Sequence, residues 1–100
     1  MSQQRKPTTI VVQRIQTGVR LEKRMLKVLK ALADSLDLTL GDLMEGIVLH
    51  AFEGTAAFSK PTRARVAALR KVFGLTLTAA NAHHLEEKPA NARRTARSVR

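Results

Sequence analysis

The chain of 100 residues contains no cysteine, no tryptophan and no tyrosine, and only eight of its side chains are acidic. Without cysteine it can form neither a disulfide nor a thiolate metal site. Its three phenylalanines are the only aromatic residues, so we expect an aliphatic core. No apolar run approaches the roughly 20 residues that a membrane span needs, and the first residues carry no apolar signal segment. These absences favour a cytoplasmic globular protein.

Positive charge is the most unusual property of the composition. Eighteen basic side chains give a formal net charge of +10 and a pI near 11.4, and such a balance favours nucleic acid or an anionic membrane surface as a partner. The charge is unevenly distributed, because residues 15–53 hold five basic and six acidic side chains whereas residues 88–100 hold five basic and none acidic. We predict a flexible basic arm at residues 1–13 and a disordered basic tail at residues 88–100.

One short segment, residues 14–21, alternates in the manner of a β-strand, with an apolar and a polar face. The apolar face holds Ile15, Thr17, Val19 and Leu21, and the polar face holds Arg14, Gln16, Gly18 and Arg20. A single strand needs a partner, so the pattern predicts antiparallel pairing with the same strand of a second chain.

Apolar residues then recur with a helical period. The pattern predicts helices over residues 22–36, from Thr39 to just before Gly54, and over residues 62–73, with a short fourth helix reaching about residue 87. Thr39 and Asp42 have the spacing of a reciprocal capping box at the second helix. Asp37 is suited to a left-handed turn between the first two helices.

The order of basic arm, strand, helix, short turn and helix resembles the ribbon-helix-helix family of bacterial DNA-binding repressors. The resemblance is carried by Thr17-Gly18-Val19-Arg20-Leu21, by the stripe Met25, Val28, Leu29, Leu32 and Ala33, and by residues 38–43. It implies a mainly α fold with one strand paired across a homodimer, two core helices, and one or two extra C-terminal helices before the tail. The predicted units are the arm, a dimerisation and DNA-binding domain at residues 14–54, a helical extension at residues 55–87, and the tail.

The resemblance also implies roles for individual residues. A two-stranded ribbon fits the major groove, where Arg can bond guanine and Gln can bond adenine. The implied base-reading residues are Gln16, Gly18 and Arg20, and the implied phosphate contacts are Arg14, Lys23, Thr39, Leu40 and Gly41. Nonspecific contacts to DNA are expected from Arg5, Lys6, Arg93, Arg94, Arg97 and Arg100, and the dimer core is expected from Ile15, Val19, Leu21, Leu29, Leu43 and Ile47.

The leading hypothesis is therefore a homodimeric, sequence-specific DNA-binding protein, associated with the nucleoid when bound and acting as a transcriptional repressor or a plasmid or mobile-element maintenance factor. Three alternatives remain open: an antitoxin-like protein whose C-terminal helices bind a protein partner, a helix-turn-helix protein reading DNA with residues 62–73, and a nonspecific DNA compactor. Catalysis, a cofactor and a metal are not expected. The adjacent His83 and His84 lack a third ligand nearby in the sequence, and no pocket-forming motif accompanies the carboxylates.

Overall fold

The structure is a computed structural model that describes residues 9–88. This part of the chain contains three α-helices, α1 (Lys23–Ser35), α2 (Leu40–Phe52) and α3 (Lys60–Phe73), and then a single turn of 3-10 helix at Ala79–Asn81. Helix α1 packs against both α2 and α3. Residues 9–22, here called the N-terminal segment, precede α1 without regular secondary structure.

Each α-helix begins at a side-chain cap. The carboxylate of Glu22 accepts the N–H of Met25 at 2.8 Å, the hydroxyl of Thr39 accepts that of Asp42 at 3.1 Å, and the hydroxyl of Ser59 accepts that of Thr62 at 3.3 Å. These bonds satisfy backbone donors that have no partner within their own helix.

The helices also end alike, in a left-handed residue that stops the helix. Asp37 (φ 58°), Gly54 (φ 71°) and Gly74 (φ 68°) occupy these positions. After α1, the N–H of Leu38 reaches back to the carbonyl of Ala33 at 2.9 Å, which is the backbone bond of a Schellman motif. The sequence-based predictions for Asp37, Gly54 and the three helices are confirmed to within two residues.

The core is small and lies where α1 meets the other two helices. Leu32 is its most deeply buried residue, with 1% of its surface exposed, and it clusters with Ala33 and Leu43. Partly buried apolar side chains surround this cluster: Leu29, Leu36, Ile47, Phe58, Val66 and Leu69. Only five hydrophobic residues of the described chain are buried, which is a modest core for a chain of this length.

The predicted ribbon-helix-helix fold class is wrong for this structure. Residues 14–21 form no strand, and none occurs anywhere in residues 9–88. A strand is defined by hydrogen bonds to a neighbouring strand, and period-two alternation carries no information about whether such a neighbour exists. Residues 9–88 contain no such neighbour, so the segment has an alternating sequence but no sheet.

The predicted fourth helix is also wrong, because only Ala79–Asn81 is helical between α3 and residue 88. Residues 82–88 are exposed, and a short helix without an apolar face to bury is unstable in water. The predicted arm, apart from residues 9–13, and the predicted tail, apart from Lys88, lie outside the described residues.

Candidate nucleic-acid interface

Arg14 attaches the N-terminal segment to the first turns of α2. Its Nε donates to Glu45 Oε2 at 2.8 Å, and its Nη2 donates to Glu45 Oε1 at 2.7 Å. The same Nη2 lies 3.4 Å from Asp42 Oδ1. This is a bidentate guanidinium–carboxylate pair, the geometry with the most directional preference among ion pairs. Arg14, expected to contact phosphate, is therefore engaged with carboxylates in the free chain.

The two charges hold each other in their ionised forms. The hydrogen bonds from Arg14 lower the pKa of the Glu45 carboxyl below its usual value, and those from Glu45 raise the pKa of Arg14. Since a lowered carboxyl pKa favours the folded state above its unfolded pKa, the contact persists at neutral pH and is lost as the pH falls through the folded value. Both side chains are about half exposed or more, so the pair contributes little to stability.

Arg20 is also paired, with a carboxylate from the other end of the described chain. Its Nε donates to Glu87 Oε1 at 3.1 Å, and its Nη2 donates to Glu87 Oε2. These bonds raise the pKa of Arg20 and lower that of Glu87. The side chain of Arg20 remains 79% exposed, so solvent and any approaching ligand can still reach it.

The other two residues expected to read bases face solvent. Gln16 and Gly18 are exposed, as is Lys23 at the start of α1. A Cβ atom added to Gly18 would meet no atom within 4 Å, so packing within the chain does not require glycine at this position.

The start of α2 presents backbone donors beside Arg14. Thr39 caps the helix and is exposed, and Leu40 and Gly41 are its first two residues. The predicted return bond from Asp42 to Thr39 is absent, because the Asp42 carboxylate contacts Arg14 instead. Four of the five expected phosphate contacts therefore lie on or against the first turns of α2: Thr39, Leu40 and Gly41 at its start, and Arg14 through Asp42 and Glu45.

Replacing Thr39 with alanine should lower the free energy of unfolding by about 1 kcal/mol, since an N-cap hydrogen bond is lost. It should also weaken binding to cognate and random DNA alike if α2 anchors a phosphate. Urea unfolding and fluorescence anisotropy would measure the two effects. Ser59→Ala is the matched control, because it removes the equivalent cap of α3 and should leave DNA binding unchanged. Equal DNA affinities for both variants would exclude the α2 anchor.

The residues expected in a dimer core divide into two groups. Leu43 is buried within the single chain, and Leu29 and Ile47 pack against the cluster to which it belongs. Ile15, Val19 and Leu21 are instead exposed, Ile15 by 84%. Three of the six residues therefore belong to the helical core of a single chain, and the other three lie exposed in the N-terminal segment.

Sequence reasoning missed the acidic partners of the two arginines. Glu45 lies 31 residues from Arg14, and Glu87 lies 67 residues from Arg20. No local spacing signals such pairs, because they arise only from the way the helices and the C-terminal segment pack.

Comparison with protein-family models, with curated proteins and with solved structures found no match. The resemblance to ribbon-helix-helix repressors therefore remains a prediction. Within residues 9–88, no helix has the length and apolar character needed to cross a membrane. In the same residues, no three side chains of His, Cys, Asp or Glu converge to hold a metal ion.

Proposed function

We propose that the protein is a homodimeric, sequence-specific DNA-binding protein, acting on the bacterial nucleoid as a transcriptional repressor or a plasmid or mobile-element maintenance factor. The observation that carries the proposal is the attachment of Arg14 to the first turns of α2. Gln16 follows Arg14 by two residues, so its Cα lies within about 8 Å of that of Arg14. A polar segment able to contact base edges is thereby held beside a helix N-terminus able to bind a phosphate.

Charge supports the same partner. The chain carries a net charge of +10, and neutralising phosphates with Lys and Arg supplies most of the nonspecific affinity of DNA-binding proteins. Direct base recognition uses side chains such as Arg and Gln, and Arg20 and Gln16 are both exposed. Because residues 14–21 form no strand, the N-terminal segment itself makes the base contacts, without a two-stranded ribbon.

The apolar surface left uncovered by the single chain supports self-association. On α2, Leu49 is 63% exposed and Phe52 is 81% exposed. A groove of about 510 Å³ separates residues 10–14 from α2 and is lined largely by apolar side chains, including Met44 and Val48. A small core together with such an apolar surface is typical of chains that bury this surface against a second copy of themselves.

We expect sedimentation at micromolar concentration to give a dimer, and thermal unfolding to shift to higher temperature as the protein concentration rises. Phe52→Glu should weaken the dimer, because it would bury a charge in the apolar contact. Val72→Glu is the matched control, since Val72 of α3 is 72% exposed and lies outside this surface. A stable monomeric wild type with concentration-independent unfolding would contradict the homodimer.

Arg20→Ala and Gln16→Ala should each cost roughly 1–3 kcal/mol on a cognate duplex and much less on random DNA, because each removes a contact to a base edge. Anisotropy titrations with a duplex selected from a random pool, and with an unselected one, would measure both affinities. The control is Arg63→Ala, which removes an exposed arginine of α3 and should affect both duplexes equally. Equal losses on both duplexes for Arg20 and Gln16 would show that these side chains do not read sequence.

A further inference from the structure

Glu87 occupies the hydrogen-bonding edge of the arginine that is proposed to read DNA. Both the Nε and the Nη2 of Arg20 donate to its carboxylate. These donors form the same fork that a guanidinium presents to a phosphate or to the O6 and N7 atoms of guanine. Arg20 cannot offer them to DNA while Glu87 holds them.

Contacts along the C-terminal part of the described chain bring Glu87 close to Arg20. Arg24 of α1 donates to the carbonyl of Gly74 at 3.1 Å, which fixes the end of α3 beside the start of α1. Arg70 of α3 donates to the carbonyl of Leu77 at 2.8 Å, so the chain is held again three residues later. Beyond the 3-10 helix, residues 85–88 face residues 20–23 across a groove of about 600 Å³.

We propose that the Glu87 carboxylate is an intramolecular competitor of DNA and that residues 82–88 form an autoinhibitory strap over Arg20. The inference rests on the proposed function and adds a regulatory element to the same site. DNA that uses the Nε and Nη2 donors of Arg20 must first displace Glu87, whereas DNA held only by other basic residues leaves the strap in place. The strap therefore weakens the contact between Arg20 and a base, but leaves the long-range electrostatic attraction between the protein and DNA unchanged.

The neighbouring Glu86 provides an internal control. It has the same charge and is exposed, yet its carboxylate makes no hydrogen bond or ion pair within the described residues. Neutralising either glutamate removes one negative charge from the surface and strengthens long-range attraction to DNA to a similar extent. Only the neutralisation of Glu87 frees the Nε and Nη2 donors of Arg20.

The test compares Glu87→Gln with Glu86→Gln in the full chain. The probe is a fluorescein-labelled duplex that the wild-type protein enriches from a random pool, titrated at low salt. Because exposed ion pairs are weak, we expect Glu87→Gln to bind roughly two- to fivefold more tightly than Glu86→Gln. In an Arg20→Ala background the two substitutions should have the same effect, since no guanidinium remains to be released.

Two outcomes would overturn the inference in distinguishable ways. If wild type binds the duplex and the two glutamine variants bind equally, the strap does not compete with DNA and the proposed function stands. If neither wild type nor any variant binds DNA, the proposed function fails and the inference fails with it. An NMR titration of the Glu87 carboxyl without DNA checks the contact independently: its pKa should rise toward the usual value in Arg20→Ala.

Discussion

Leu32→Ala should lower the free energy of unfolding by about 2–5 kcal/mol, the range found when a buried leucine is replaced by alanine. Leu32 is 1% exposed and lies at the centre of the cluster formed with Ala33 and Leu43. Since α1 packs against both other helices, a cavity here should loosen both of these contacts. Urea unfolding followed by circular dichroism, at one fixed protein concentration, would measure the change.

Two further variants make the result interpretable. Leu32→Met nearly conserves volume and should cost less than about 1.5 kcal/mol. Leu85→Ala truncates a leucine that is 49% exposed and should change stability by no more than about 0.5 kcal/mol. A loss below about 1 kcal/mol for Leu32→Ala, close to that for Leu85→Ala, would show that the helices do not pack around Leu32.

Neutralising the basic tail should make DNA affinity much less sensitive to salt. Each phosphate neutralised contributes roughly −0.9 to the slope of log affinity against log salt. The five basic residues of positions 88–100 would therefore account for about 4–5 of that slope per chain if all engage phosphates. Between 50 and 200 mM salt, the affinity of the variant with a neutral tail should therefore fall roughly 500-fold less than that of the wild type. Salt titrations on a random duplex would measure it.

The control must distinguish the loss of contacts between the tail and phosphates from the reduction in net charge. Glutamine substitutions at five exposed basic residues of the helices change the net charge by the same amount but should alter the slope of log affinity against log salt less. These residues are Lys27, Lys30, Lys60, Arg63 and Lys71. The preference for cognate over random DNA should be unchanged or greater in the neutral-tail variant, because the tail has no aromatic side chain for base stacking. An unchanged slope would show that the tail does not touch DNA.

The helices were predictable because several local signals agree. The apolar stripe from Met25 to Leu36 has the helical period, Thr39 supplies a cap, and Asp37 and Gly54 accept left-handed backbone. These signals act within a few residues of one another, so they can be read from sequence alone. The observed bounds of α1 and α2 differ from the predicted ones by one residue at the ends.

Whether residues 14–21 form a strand could not be predicted from local signals of this kind. Alternation over residues 14–21 describes which side chains share a face, but pairing depends on a second strand that the sequence of one chain does not specify. The ion pairs of Arg14 and Arg20 depend likewise on distant carboxylates. As a result, the electrostatic state of the candidate site, with both arginines bound to carboxylates, emerged only from the structure.

Selection from a random pool of duplexes, using the 100-residue chain, is the most direct test of sequence-specific DNA binding. We expect enrichment of a short palindromic or directly repeated sequence, bound at least about 10³-fold more tightly than the unselected pool. A pool without any enriched sequence, or equal affinity for enriched and unselected duplexes at the same salt concentration, would contradict sequence-specific DNA binding.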